Sequence, residues 1–241
     1  PPPVITTTFR DHKRDGRVDD LIGGNEFFTP DEFESADHHF EGEVDEFGQF
    51  RGTLNIYGGE TEQCTIEWPE GHGKKTSCGP FNVKFAYIHG NKRESFLPPE
   101  EWGRISEKLN RIGGLYIYRD GTRILPYGNA DYDFLNIERR RTKSAHDWFF
   151  SYRRIFGAIE ISHEFNGKLK EKAGREGFIT NTAYHQLRGI MEHVFRQLAR
   201  RFFRKDSDRG GEFNRIKADL IHQDELLKKR EKRVRHRKAE F

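Results

Sequence analysis

The chain has 241 residues, 34% hydrophobic and 34% charged, with a formal net charge of +3. That apolar share is too small for a core engaging every residue, whereas 13% aromatic content, with 21 phenylalanines, excludes a disordered polymer. No run approaches the about 20 apolar residues of a membrane span, and the first residues, PPPVITTTFRDHKRDGR, lack the apolar stretch of a signal peptide.

Two cysteines do not make a disulfide framework, which points to a reducing, cytoplasmic setting and no membrane partner. The only methionine is Met191, so the chain is expected to begin after methionine removal or within a longer protein. Charge is unevenly spread: from Arg201 onward fourteen Lys and Arg face eight Asp and Glu, a balance of +6, against −3 for the rest.

Residues 1–36 read as a flexible lead, with a proline triplet, Gly23-Gly24 and an acidic stretch. From Asp37 the period becomes that of strands. Phe50, Gly52, Leu54 and Ile56 alternate with polar neighbours, and residues 38–44 precede them across a turn at residues 45–48, so a hairpin is expected. Residues 62–68 form a third strand, closed by Pro69. Phe81, Val83, Phe85 and Tyr87 mark a fourth. Pro98-Pro99 opens a helix carrying Trp102, Ile105, Leu109 and Ile112, with Glu100 and Glu101 in its first turn and Gly113-Gly114 as its stop. Asp120-Gly121 is a tight-turn dipeptide between two short strands.

Residues 128–153 read as loop, with a basic cluster at 139–143 and an aromatic one at 148–152; residues 153–162 are the last strand. Tyr184, Leu187, Met191, Val194, Leu198 and Phe202 then repeat at helical spacing through residues 180–204. After a flexible break at residues 205–211, a final helix keeps an apolar stripe (Phe213, Ile216, Leu220, Leu227) only in its first half. The class is α+β.

Most chemical motifs dissolve on inspection. Gly73-Lys74 suggests a phosphate loop, but Trp68 stands where that motif needs glycine. Cys64, His72 and Cys78 lack a zinc-knuckle spacing and read as buried free thiols and a loop histidine. His38-His39 is a strand position rather than a ligand pair, and Asp131 and Asp133, near Arg139, Arg140 and Arg141, read as a solvated loop. Lys170, Lys172 and Arg175 are more suggestive. They lie just ahead of a long helix, whose free N–H groups attract anions, so a cation there is placed to meet a phosphate. By spacing alone a solubilising charge run is the simpler reading. In the tail, eight of the eleven residues 228–238 are basic: Lys228, Lys229, Arg230, Lys232, Arg233, Arg235, Arg237 and Lys238. That density suits salt-dependent nucleic-acid binding, or the charged face of a long helix. Leu220, Ile221, Leu226 and Leu227 offer at most two heptads of a dimer seam.

Three segments, IGGLYIYRDGTRILPYG (112–128), RRIFGAIEIS (153–162) and AGREGFITNTAYHQLRGIMEHV (173–194), resemble the second, transducer domain of GHKL-type ATPases. This superfamily includes histidine kinases, DNA gyrase B, heat-shock chaperones and MutL, and the likeness is greatest to its MORC-like branch and prokaryotic relatives. The resemblance covers about residues 37–205. It implies a ribosomal-S5-like curved mixed sheet with helices on one face, followed by a basic helical, coiled-coil-like extension over 206–241. It also implies that a basic residue before the long helix senses the ATP γ-phosphate: Arg175, with Lys172 and Lys143 as alternatives. Arg119 and Arg123, beside the hairpin turn, are secondary contacts or surface charges. The family's catalytic Glu, its DxGxG loop and its Gly-rich lid do not occur in these 241 residues. The chain is therefore expected to bind no ATP or Mg2+ alone. Its implied partners are an upstream ATP-binding lobe, a second copy in a homodimer, and DNA. The alternatives are a stand-alone nucleic-acid-binding module and a structural dimerisation arm.

Overall fold

The computed structural model describes residues 10–12, 18–20, 28–145, 147–174, 176–207 and 209–239, with side chains described from 28 to 235. A small ribbon pairs β1 (Arg10–His12) with β2 (Val18–Asp20). The alternating segments then form β3 (His38–Val44), β4 (Phe50–Ile56), β5 (Glu62–Ile66), β6 (Phe81–Tyr87), β7 (Gly114–Arg119), β8 (Thr122–Arg123) and β9 (Ile155–Ile161). These seven make one open sheet in the order β5-β4-β3-β6-β9-β7-β8. Every pairing is antiparallel except β7 with β9, which run parallel. The expected α+β class with a mixed sheet is what the chain forms.

Among the described residues five α-helices accompany the sheet: α1 (Pro30–Glu34), α2 (Pro99–Ile112), α3 (Ile137–Lys143), α4 (Thr182–Leu198) and α5 (Gly210–Ala239). α4 buries the whole predicted stripe from Tyr184 to Leu198 against Phe40, Val44, Phe85, Ile117 and Ile159. It ends in a π-helical turn, Ala199–Phe203, that points Phe202 and Phe203 into the same core.

The helices are not confined to one face, which corrects the expected layout. β6 and β9 carry Ala86 and Phe156 on their second side, and α2 (Ile105, Leu109) and α1 (Phe33) pack there as a separate small core. The lead is likewise ordered at its end. Thr29 accepts from the Glu32 amide while Glu32 reaches back to the Thr29 amide, a capping box that fixes α1. Glu32 is then buried against Lys108 (2.7 Å) on α2.

The stretch expected to be loop holds α3. Asp133 accepts from the Glu138 amide (2.9 Å) at its start, so Asp133 is a capping group, and burial raises its carboxyl above the usual range. Asp131 is exposed as expected. The break before α5 is a hydrogen-bonded turn in which Ser207 Oγ accepts from Gly210 N (2.8 Å) and donates to Arg204 O (2.9 Å). Among the described residues no helix is long and apolar enough to cross a membrane.

Among the described residues, the second face beyond α1 and α2 is open. Cross-strand register lines up Arg51, Glu43, Asn82, Glu160 and Tyr118 in one row across β4, β3, β6, β9 and β7. The next row holds Thr53, Glu41, Lys84, Ala158 and Tyr116.

Candidate functional site

Two constellations stand out: a corner built by the three segments that carry the family resemblance, and a buried polar knot at the opposite end of β3. In the corner, Asp120 (φ 48°) and Gly121 (φ 79°) both take the left-handed conformation that a two-residue hairpin turn requires, closing β7 onto β8. Arg119 is buried rather than a surface charge. Its guanidinium pairs with Glu171 (2.6 Å), donates to the Leu169 carbonyl, and lies over the Phe178 ring. Arg123 donates to Tyr127 O (3.2 Å) and, at the surface, to Asn129 Oδ1 (2.7 Å). Both arginines brace the corner, Arg119 from the interior and Arg123 from a partly exposed position.

The segment before α4 folds back on itself. Ile179 N donates to Lys170 O (2.8 Å) and Lys172 N to Gly177 O (2.9 Å), leaving a short tip around Ala173 and Gly174. Gly177 (φ 89°) sits against the Tyr127 ring, where a Cβ would meet the phenol oxygen at 3.0 Å. The Tyr127 hydroxyl accepts from Phe178 N (3.0 Å). Asn181 caps α4 through the Tyr184 amide (3.0 Å) and ties back to Lys168 O (2.8 Å). Lys172 is exposed at this tip, and among the described residues its ammonium has no ion pair. Arg175 lies outside the described residues.

Lys143 is not brought to this corner, a correction to its grouping with Lys172. It ends α3, where Arg140 pairs with Glu192 (2.7 Å) and, beyond it, Asp147 with Arg200 (3.9 Å). Glu192 is already ten residues, about 15 Å, along α4 from Thr182, and Lys143 lies on the side leading away.

The buried knot was not anticipated. Register places His38 of β3 opposite Tyr87 of β6, and two residues on, His89 meets His38 with 3.0 Å between their Nε2 atoms. The Tyr57 hydroxyl donates to Glu94 O (2.7 Å) and lies 2.9 Å from His89 Nε2. Glu94 Oε2 faces His89 Nδ1 (3.4 Å) and Lys217 of α5 (2.8 Å), and its carboxyl is held down at about 2, His89 being the main cause. Asp37 takes the His89 and Phe96 amides (2.7 and 3.0 Å) and Ser95 Oγ (2.9 Å).

Phe213 of α5 closes the knot, stacking on Tyr57 at 5.6 Å. Carboxylate, imidazole and phenol are aligned as a proton relay would need, yet His38 is fully buried and His89 is 3% exposed. The cluster therefore welds β3, β6, the segment after β6 and α5 together, its imidazoles shut away and only its Glu94–Lys217 edge partly exposed.

That burial has a pH signature. Desolvation holds His38 well below the usual imidazole range, so the folded chain binds this proton less readily than the unfolded chain. Stability is then full above about pH 6.5 and is lost as pH falls below it, by at most about 1.4 kcal/mol per pH unit. Asp37, raised by burial, acts in the opposite sense only near the carboxylate range, and the lowered Glu94 adds acid lability below about pH 4.5. Denaturant midpoints should fall from pH 7 to pH 5, and His38→Gln should flatten that slope; an unchanged slope would show that His38 is not the group responsible.

Cys64 and Cys78 are buried free thiols, the first on β5 and the second ahead of β6. In α5, Phe213, Ile216 and Leu220 pack on the core, but Leu227 is 57% exposed and does not continue the buried stripe. Lys228 pairs with Asp224 (2.7 Å); Lys229, Arg230, Lys232, Arg233 and Arg235 are exposed, and among the described residues none of these five has an ion pair. Arg237 and Lys238 continue the helix, with side chains outside the described set. No family model, curated protein or solved structure matches the chain.

Proposed function

We propose that this chain is the transducer portion of a GHKL-type ATPase, coupling nucleotide binding in an upstream lobe to movement of α4 and α5. One observation carries this reading: the three resembling segments, far apart in sequence, fold into a single braced corner. β7 pairs parallel with β9, Arg119 ties β7 to residues 169–171, and Tyr127 holds the Gly177-Phe178 turn. The corner fits a phosphate contact. Lys172, exposed and without an ion pair among the described residues, stands on the segment ahead of the α4 N-terminus, where Asn181 caps the Tyr184 amide.

In this mechanism Arg175, with Lys172 beside it, docks on the γ-phosphate held by the upstream lobe and locks the two lobes together. Because the corner is braced, the docking force moves α4 as a body instead of deforming the loop. Differential contact with the phosphate before and after hydrolysis supplies the switch. ATP with Mg2+ belongs to the other lobe, and this chain contributes the sensing cation.

The test begins with the natural protein, whose intact mass should exceed 28.4 kDa. In that protein Arg175→Ala should lower ATP turnover about tenfold or more, at an unchanged melting temperature. Unchanged turnover would overturn the sensor role. The second reading, a nucleic-acid-binding module, draws on the exposed basic run of α5. It expects duplex binding by this chain alone that weakens steeply with salt.

A further inference from the structure

α5 is a single helix with two different halves. Phe213, Leu220, Leu227 and Val234 recur every seven residues and so form one stripe. The first two face the core, and the ion pair of Asp224 with Arg93 (3.1 Å) is the last tie to the body. Beyond it the stripe runs on with Leu227 57% and Val234 53% exposed, the first just before the basic run and the second within it. From Glu225 to Ala239 that free half is about 22 Å long.

The same fold leaves a surface of matching size on which Glu43 and Glu160 stand without an ion pair among the described residues. The row from Arg51 on β4 to Tyr118 on β7 spans four interstrand steps, about 19 Å. It is lined by shallow clefts of about 490 and 930 Å³, with Glu43 and Glu160 in both. Among the described residues neither glutamate has an ion pair, while beside them an apolar hollow of about 290 Å³ is floored by Phe33, Tyr116 and Phe156. α5 is seated on the other face, at the His38 end of the strands, about 17 Å along β3 from Glu43. A continuous helix cannot curl round the sheet to reach its own row.

We infer that the free half of α5 docks on the open sheet face of a second copy of this chain, reciprocally. Leu227 and Val234 cover the apolar hollow, and Arg230 and Arg233, on one flank of that stripe, meet Glu43 and Glu160. Pairing of two α5 helices with each other is disfavoured, because both are densely basic. Glu43 and Glu160 likewise disfavour nucleic acid on the sheet face. This inference is independent of the ATPase reading, since it needs neither nucleotide nor an upstream lobe.

The test is sedimentation equilibrium of this chain at low salt. The wild type should be dimeric, with association at least tenfold weaker at 0.5 M salt. Glu43→Lys with Glu160→Lys, and separately Arg230→Glu with Arg233→Glu, should each weaken it tenfold or more. All of these residues are exposed, so folding is spared, which circular dichroism checks. An equimolar mixture of the two variants restores complementary charge at both contacts and should re-form a dimer. A monomeric wild type, or a dimer indifferent to the Glu43/Glu160 pair of changes, would overturn the inference. So would a monomer whose basic half binds only duplex DNA, which would assign α5 to nucleic acid instead.

Discussion

Asp37→Ala is expected to destabilise the chain by about 3 kcal/mol or more, measured by urea unfolding near pH 7. Asp37 is fully buried, and its carboxylate is the acceptor for two backbone amides, of His89 and Phe96, and for the Ser95 hydroxyl. Alanine removes the acceptor but leaves all three donors inside, each losing its partner at about 1–3 kcal/mol. The damage should also spread. Residues 88–97 lead into α2, and Trp102 of that helix donates to His89 O (2.9 Å), so α2 and the sheet end share the same anchor. Asp37→Asn retains one oxygen and should lose roughly half as much. A loss below about 1 kcal/mol for alanine would show that the knot is not structural.

Gly157→Val should be at least as severe. Gly157 lies in the middle of β9, opposite Phe85 of β6. A Cβ there would collide with the Lys84 carbonyl and the Phe85 Cα, and would stand 2.6 Å from the Phe85 Cβ. These are backbone atoms of a central strand, held on its other side by β3, so they cannot step aside. Phe85 leans over this glycine and stacks on Phe40 at 4.6 Å, contacts that a branched side chain would dislodge. Overpacking of this kind costs about 3 kcal/mol, and breaking the β6–β9 ladder adds to it. Equilibrium unfolding should find little folded protein at 37 °C, while Ala158→Val, on the open face next door, should be nearly neutral. Normal stability of Gly157→Val would mean that β6 and β9 are not paired in this register.

Much of the secondary structure was legible because its causes are local. The alternation of Phe50, Leu54 and Ile56, the Asp120-Gly121 turn and the stripe from Tyr184 to Leu198 each act within a few residues. α3 escaped notice because its cap, Asp133, lies five residues before the amide it satisfies, and its body reads simply as a run of charge. α1 escaped because a five-residue helix has almost no periodicity; its capping box was the only available signal.

The site divides in the same way. The cation-bearing tip before α4 was visible as sequence, whereas the brace behind it depends on Arg119 meeting Glu171 fifty-two residues later. Nothing local says that Arg119 turns inward or that Lys143 sits far along α4. The His38–His89–Tyr57–Glu94 knot had even less signature, because strand register alone brings these residues together.

The sequence by itself determined the main strands and the longer helices, where the chain turns, and that positive charge gathers at its end, because these follow from neighbours along the backbone. Only the tertiary structure decided which charges are buried ties and which are free, and which sheet face stays open. It also decided that half of α5 stands clear of the body. Those outcomes depend on desolvation, and desolvation is set by what packs against a side chain from distant parts of the chain.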